Sequence, residues 1–90
     1  MIFEWDEAKA RKNLKKHGVS FEEAISVFSD PLSATGADPD HSLEEERFVT
    51  FGMSWLGRLL FVGHTDRAEV IRIITTRLAT TLERNLYETG

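Results

Sequence analysis

The chain has 90 residues, 41% of them hydrophobic and 29% charged, which supplies one apolar core and not two. It contains no cysteine, which excludes a disulfide framework, a thiolate metal site and a thiol nucleophile and suits a reducing cytoplasm. No apolar run approaches the roughly 18 residues of a membrane span, and the opening IFEWDEAKARK has no signal-peptide apolar stretch. The net charge of −4 argues against nucleic acid until it is divided along the chain. Residues 1–17 carry five basic and three acidic side chains (+2), residues 18–46 eight acids and no base (−8), and residues 47–90 six arginines against four acids (+2). The acid lies in one block, and the two ends can share a basic face.

Residues 2–5 predict a short strand, after which Asp6 can cap a helix over residues 7–16. Ala8, Ala10 and Leu14 are the only apolar members of that helix, so it is thinly anchored. Lys15 and Lys16 suit its negative pole, and Gly18 the left-handed position that ends it. A second helix opens with the capping box Ser20-Phe21-Glu22-Glu23, buries Phe21, Ala24, Ile25 and Phe28, and stops near Asp30-Pro31. Residues 32–46 hold Gly36, Pro39, Asp38, Asp40, Glu44, Glu45 and Glu46, a solvated loop with room for one early strand.

Strands then follow at 47–54, 59–65 and 70–75, joined by short turns at 55–58 and 66–69, which implies an antiparallel meander. After residue 75 the period changes: Leu78, Leu82 and Leu86 mark one face of a helix running to residue 88. Its start is open, with Thr75 or Thr76 as cap and Thr80-x-x-Glu83 as a second capping box one turn later. The order is a short strand, two helices, a three- to four-stranded meander and a C-terminal helix, an α+β single domain over residues 1–90.

His17, His41 and His64 show no metal-ligand spacing, Asp38-Pro39-Asp40-His41 lacks a calcium-loop pattern, and no glycine cluster forms a phosphate loop or nucleophile elbow. The expectation is no cofactor and no metal. What remains is arginine chemistry. RNA cleavage without a metal requires a deprotonated 2′-OH, a stabilised phosphorane and a protonated leaving oxygen, and arginine meets the second need with a planar fork of permanent charge. Arg67 and Arg77 are expected to converge from neighbouring strand ends, with Glu83, His64 or Glu46 as base. The competing expectations pair Arg67 with Asp66 or Glu69, pack His64 into the core, and leave the last helix's arginines and Glu83 as a solvated outer face.

Phe3-Glu4-Trp5-Asp6 with Lys9 and Asn13, then Lys16-His17-Gly18-Val19 with Phe21 and Ala24, then Val27-Phe28 with Asp30-Pro31 form one set of marks. Glu46-Arg47, Gly52, Leu60, Thr65, Arg67, Arg72-Ile73-Ile74, Arg77, Ala79, Glu83-Arg84 and Tyr87-Glu88 continue it. Together they resemble the BrnT toxins of bacterial type II toxin–antitoxin modules. The resemblance implies a RelE-like fold, a metal-independent endoribonuclease acting on RNA, and a cognate ribbon-helix-helix antitoxin that neutralises the toxin in a hetero-oligomer and carries it to operator DNA. It places the catalytic group on Arg67, Arg77, Glu83, Arg84 and Tyr87, with Lys9, Lys12, His17 and Arg72 in RNA binding. Two departures stand out. Thr75-Thr76 replaces a family Ser-Ala pair before Arg77, and residues 78–82 lack the family's basic side chains. Each missing cation removes a phosphate contact and its counterion release, which points to attenuated activity or to a non-catalytic co-repressor. The thin first helix and an exposed Trp55 offer surface to a partner.

Overall fold

The β-branched and aromatic runs of the C-terminal half build the sheet, as their period-two pattern requires. In the computed structural model, which describes residues 1–38, 40 and 45–89, the elements are β1 (Ile2–Glu4), α1 (Glu7–His17), α2 (Phe21–Ile25) running into a 3₁₀ turn (Ser26–Ser29), β2 (Ala34–Ala37), β3 (Phe48–Met53), β4 (Leu59–Arg67), β5 (Val70–Leu78) and α3 (Thr81–Thr89). The sheet has five strands in the order β1-β5-β4-β3-β2. β2 to β5 form a four-stranded antiparallel meander, and β1 returns to the far edge to lie parallel to β5. The α+β architecture expected from the sequence is therefore present, with β2 as the early strand of the acidic loop. His41 and Glu44 lie outside the described residues. No helix among the described residues is long and apolar enough to cross a membrane.

α2 and the segments flanking it cover one face of the sheet. Val19, Phe21, Ala24 and Val27 pack there on Leu60, Val62, Ile71 and Ile73, with Phe3, Trp5 and Phe28 at the margin. Full burial of such a large apolar side chain is worth about 1.5–3 kcal/mol. Ser20 accepts a hydrogen bond from the Glu23 amide at 2.9 Å as the capping box requires. The reciprocal half of that box is a correction: the Glu23 carboxylate turns away into the interior, where it accepts from Ser54 at 2.7 Å and from Arg58 through Nε at 2.9 Å and through Nη2. Arg58 also donates to the Gly18 carbonyl at 3.1 Å, tying the end of α1 to the β3–β4 turn. The Arg58 guanidinium, opposed by burial and helped by Ser54, holds the Glu23 carboxyl below its usual range.

α1 begins and ends as the sequence predicts, with Asp6 accepting from the Lys9 amide and Gly18 left-handed at φ 70°. Its anchor is a polar residue. The buried Asn13 amide donates to the Thr76 and Val19 carbonyls at 2.9 and 3.0 Å and accepts from the Thr76 amide and Thr75 hydroxyl at 3.1 and 3.2 Å. By pairing with both N–H and C=O of Thr76, Asn13 completes the edge of β5 where the three-residue β1 has already ended.

The C-terminal segment departs from expectation. β5 continues to Leu78, three residues beyond the predicted end at 75, because Thr75, Thr76 and Arg77 keep pairing with Gly63, Val62 and Phe61. The helix start is settled at Thr80: its hydroxyl accepts from the Glu83 amide at 3.2 Å while Glu83 accepts from the Thr80 amide at 2.8 Å. Leu78, Leu82 and Leu86 do not form a core face. Leu78 ends a strand, and Leu82 and Leu86 are 69% and 65% exposed on a helix with no buried residue.

Candidate functional site

β4 and β5 determine which arginines share a face. His64 opposes Ile73 and Gly63 opposes Thr75, so Ile74 has no opposite number and forms a bulge in β5. Arg72 and Arg77 are five residues apart and would point to opposite sides of a regular strand. Here they oppose Thr65 and Phe61 on the unbulged β4, four residues apart, and so lie on one face with Arg67. This is the outer face, turned away from the Leu60, Val62, Ile71 and Ile73 side that carries the core.

Sharing a face does not bring them into one pocket. Arg67 opposes Val70 at one end of the hairpin, and Arg77 opposes Phe61, six residues back along β4, a separation of about 20 Å at strand rise. The expected convergence of Arg67 and Arg77 is thus corrected: adjacent antiparallel strands put their C-terminal ends at opposite ends of the hairpin. Each guanidinium also faces a carboxylate. Arg72 donates to Glu4 at 2.8 Å, and Arg67, 84% exposed, lies 3.5 Å from Glu45 and not against Asp66 or Glu69.

Arg77 is the most constrained of the three. Its two terminal nitrogens donate to both Glu83 oxygens at 2.7 and 3.0 Å, a third bond reaches the Leu78 carbonyl, and the guanidinium carbon sits 4.0 Å over the Phe61 ring. Phe61 in turn packs edge-on against Phe51, with ring centres 5.6 Å apart. Glu83 is held below its usual pKa by the Arg77 guanidinium, against burial and with help from the Thr80 amide, and Arg77 is raised in return. One turn on, the Tyr87 hydroxyl donates to Asp30 at 2.5 Å. Asp30 also accepts from the Met53 and Leu32 amides. Burial works against the Asp30 carboxylate, but the Met53 amide, the Tyr87 hydroxyl and the Leu32 amide together keep its pKa low. The Tyr87 phenol is pushed up by its bond to Asp30 and by burial. Arg84 is exposed on the same helix.

Arg77 and Glu83, with Tyr87 one turn on bound to Asp30, thus form one cluster where β5 meets α3. At the hairpin end, Arg67 and Arg72 form another with Glu4, Glu45, Thr65 and Val70, lining a cleft of about 420 Å³. Lys9 and Lys12 are exposed on α1 and His17 is its half-buried last residue. His64 is removed as a base for the arginine face. It is buried on the opposite side, between Asp66 at 2.6 Å and Thr50 at 2.8 Å, with Phe28 and Phe48 against its ring. Glu46 is exposed and belongs to neither cluster. Asp30 and Glu4 were not singled out as site residues in the sequence. Asp30 reads there as a helix stop, and Glu4 lies 68 positions from the arginine it meets.

A family model described as "Ribonuclease toxin, BrnT, of type II toxin-antitoxin system" matches residues 5–83. The fold is similar to the crystal structure of the Brucella abortus ribonuclease toxin BrnT, with a TM-score of 0.65 and 21% sequence identity over 90% of this chain and 100% of that one. No curated protein matches.

Proposed function

This chain belongs to the BrnT family of ribonuclease toxins of type II toxin–antitoxin systems, and from that premise we propose that it cleaves RNA without a metal at the cluster around Arg77. The supporting observation is the Arg77 guanidinium, fixed on the outer face over Phe61 with Glu83 as its exchangeable anion. A phosphodiester has the charge and the paired oxygens to take Glu83's place on the fork. Glu83, released from Arg77, then loses the interaction that keeps its pKa low and becomes a stronger base for the 2′-OH. The 2′ oxygen attacks phosphorus, its proton passes to Glu83, and Arg77 with Arg84 stabilises the extra negative charge. The bond to the 5′ oxygen breaks and that oxygen takes a proton from Tyr87, a phenol that is protonated at neutral pH.

Arg72, Lys9, Lys12 and His17 contribute to RNA binding in this reading, and Arg67 moves from the catalytic group to the hairpin end because of its position. The protein works as a single toxin domain in the cytoplasm, neutralised by a ribbon-helix-helix antitoxin that brings it to operator DNA. The exposed Trp55, Leu82 and Leu86 are surface for that partner to cover. Purified protein is expected to degrade RNA in excess chelator, with Arg77→Ala slowing cleavage by about 100-fold or more, the scale of one lost transition-state donor. A strict magnesium requirement would remove the mechanism, and full activity of the variant would remove the assignment.

A second reading is favoured by the carboxylates facing Arg67, Arg72 and Arg77: an inert co-repressor that only helps its antitoxin hold DNA. Expression without the antitoxin separates the two, because a nuclease arrests growth and an adaptor does not.

A further inference from the structure

We infer that the cleft at the β4–β5 hairpin end is a nucleobase subsite that selects guanine, an inference that rests on RNA being the ligand of the outer face. The lining groups are two guanidiniums, two carboxylates, the Thr65 hydroxyl and the apolar wall of Val70 around about 420 Å³, within the size range of small-ligand sites. The two positive and two negative side chains cancel. An entering phosphate gains from Arg67 and Arg72 but meets repulsion from Glu4 and Glu45, so the site is poorly matched to an anion. It is well matched to a neutral planar group that needs donors and acceptors together.

Arg72 and Glu4 stand side by side at 2.8 Å, both about half exposed, so a donor fork and an acceptor pair open onto the same space. A solvated ion pair of this kind is weak, and exchanging it for a base costs little. Guanine presents adjacent acceptors, O6 and N7, on one edge and adjacent donors, N1–H and the N2 amino group, on the next. Arginine pairs with the first set, and a carboxylate accepts from the second. Adenine places a donor where O6 stands and has no N1 proton, and neither pyrimidine offers both pairs. Recognition of a base splayed from a single strand by edge contacts is the usual route to RNA sequence preference.

The position of the cleft suits a strand whose scissile phosphate lies at Arg77. Arg72 and Arg77 oppose β4 residues four apart, about 14 Å along the sheet. Between them lies Gly63 opposite Thr75, whose methyl already leans over the glycine, within 2.9 Å of where a Cβ would stand. A glycine and a threonine place no long side chain between the two clusters, so a bound strand can pass from one to the other.

The test is fluorescence anisotropy with short 2′-O-methyl oligouridines, which cannot be cleaved, each carrying one guanine, adenine, inosine or 7-deazaguanine. The guanine oligomer is expected to bind at least about tenfold more tightly than the adenine one. Inosine, without the N2 amino group, and 7-deazaguanine, without N7, should each lose part of that margin. Arg72→Gln and Glu4→Gln should erase the preference. Equal binding of all four oligomers overturns the proposal, and so does an Arg72→Gln loss that is the same for every base, the mark of a phosphate contact. Guanine preference in a protein that cleaves nothing supports the subsite while sinking the ribonuclease reading; cleavage without base preference does the reverse.

Discussion

α1 and α3 are both short, charged helices with few apolar residues, yet they are held by opposite means. α1 is held chiefly by one buried amide, Asn13, whose four hydrogen bonds all end on protein groups of the β5 edge and of the loop that follows α1. α3 has no fully buried residue and is attached by charged and phenolic side chains at its inner margin, Glu83 to Arg77 and Tyr87 to Asp30. A buried amide with every donor and acceptor satisfied is costly to disturb because its backbone partners have no water to turn to. A part-exposed ion pair can exchange its partner for solvent or for another anion. The first arrangement suits a scaffold, and the second suits the element where a phosphate has to displace a carboxylate.

The largest effect on stability should come from Asn13→Ala. It strands the Thr76 amide and carbonyl and the Val19 carbonyl, and the expected loss is about 2–4 kcal/mol in denaturant unfolding, several unsatisfied groups at once. Asn13→Asp should be at least as damaging, since a carboxylate oxygen would face two carbonyls. If either variant unfolds like the wild type, the amide is not what holds α1.

A smaller effect is expected from Tyr87→Phe, about 1.5 kcal/mol, the low end for a hydrogen bond to a charged group because this one is part-exposed. It should appear in amide hydrogen exchange as lost protection confined to α3, with the Thr76 amide unchanged. Protection lost evenly across the molecule would show that α3 is integral to the cooperative fold and erase the contrast.

The smallest separation is by pH. Glu83 and Asp30 both have folded pKa values below their ordinary ones. Their stabilising contribution is therefore complete above the ordinary carboxylate range and is lost as pH falls through the depressed folded values. Exchange from α3 should rise on acidification below about pH 4, while the Asn13 amide does not titrate and the Thr76 amide stays protected. The cap of α1 has a titrating group as well: Asp6, lowered by the Lys9 amide against desolvation, will loosen the first turn of α1 over the same range. If Thr76 and α3 lose protection together, the two attachments are not independent.

Local patterns were legible in the sequence because they are set by neighbours. Asp6 and Gly18 bracket α1, Ser20 caps α2, the hairpins follow from apolar runs and turns, and of the face predicted from its spacing Phe21 and Ala24 are fully buried while Ile25 and Phe28 pack part-buried at the core's margin. The arginines that matter were also visible as residue types. Their arrangement was not, because it depends on a bulge at Ile74 and on the antiparallel order of β4 and β5, and neither is a property of the local stretch. The same holds for Asn13, an ordinary helix residue until Thr76 arrives from 63 positions away. It holds too for Leu82 and Leu86, whose helical spacing reports only that a face exists. Periodicity is a one-dimensional signal that fixes which side chains share a side, whereas the partner for that side, and the pairing of each charge, is decided only when distant strands close the sheet.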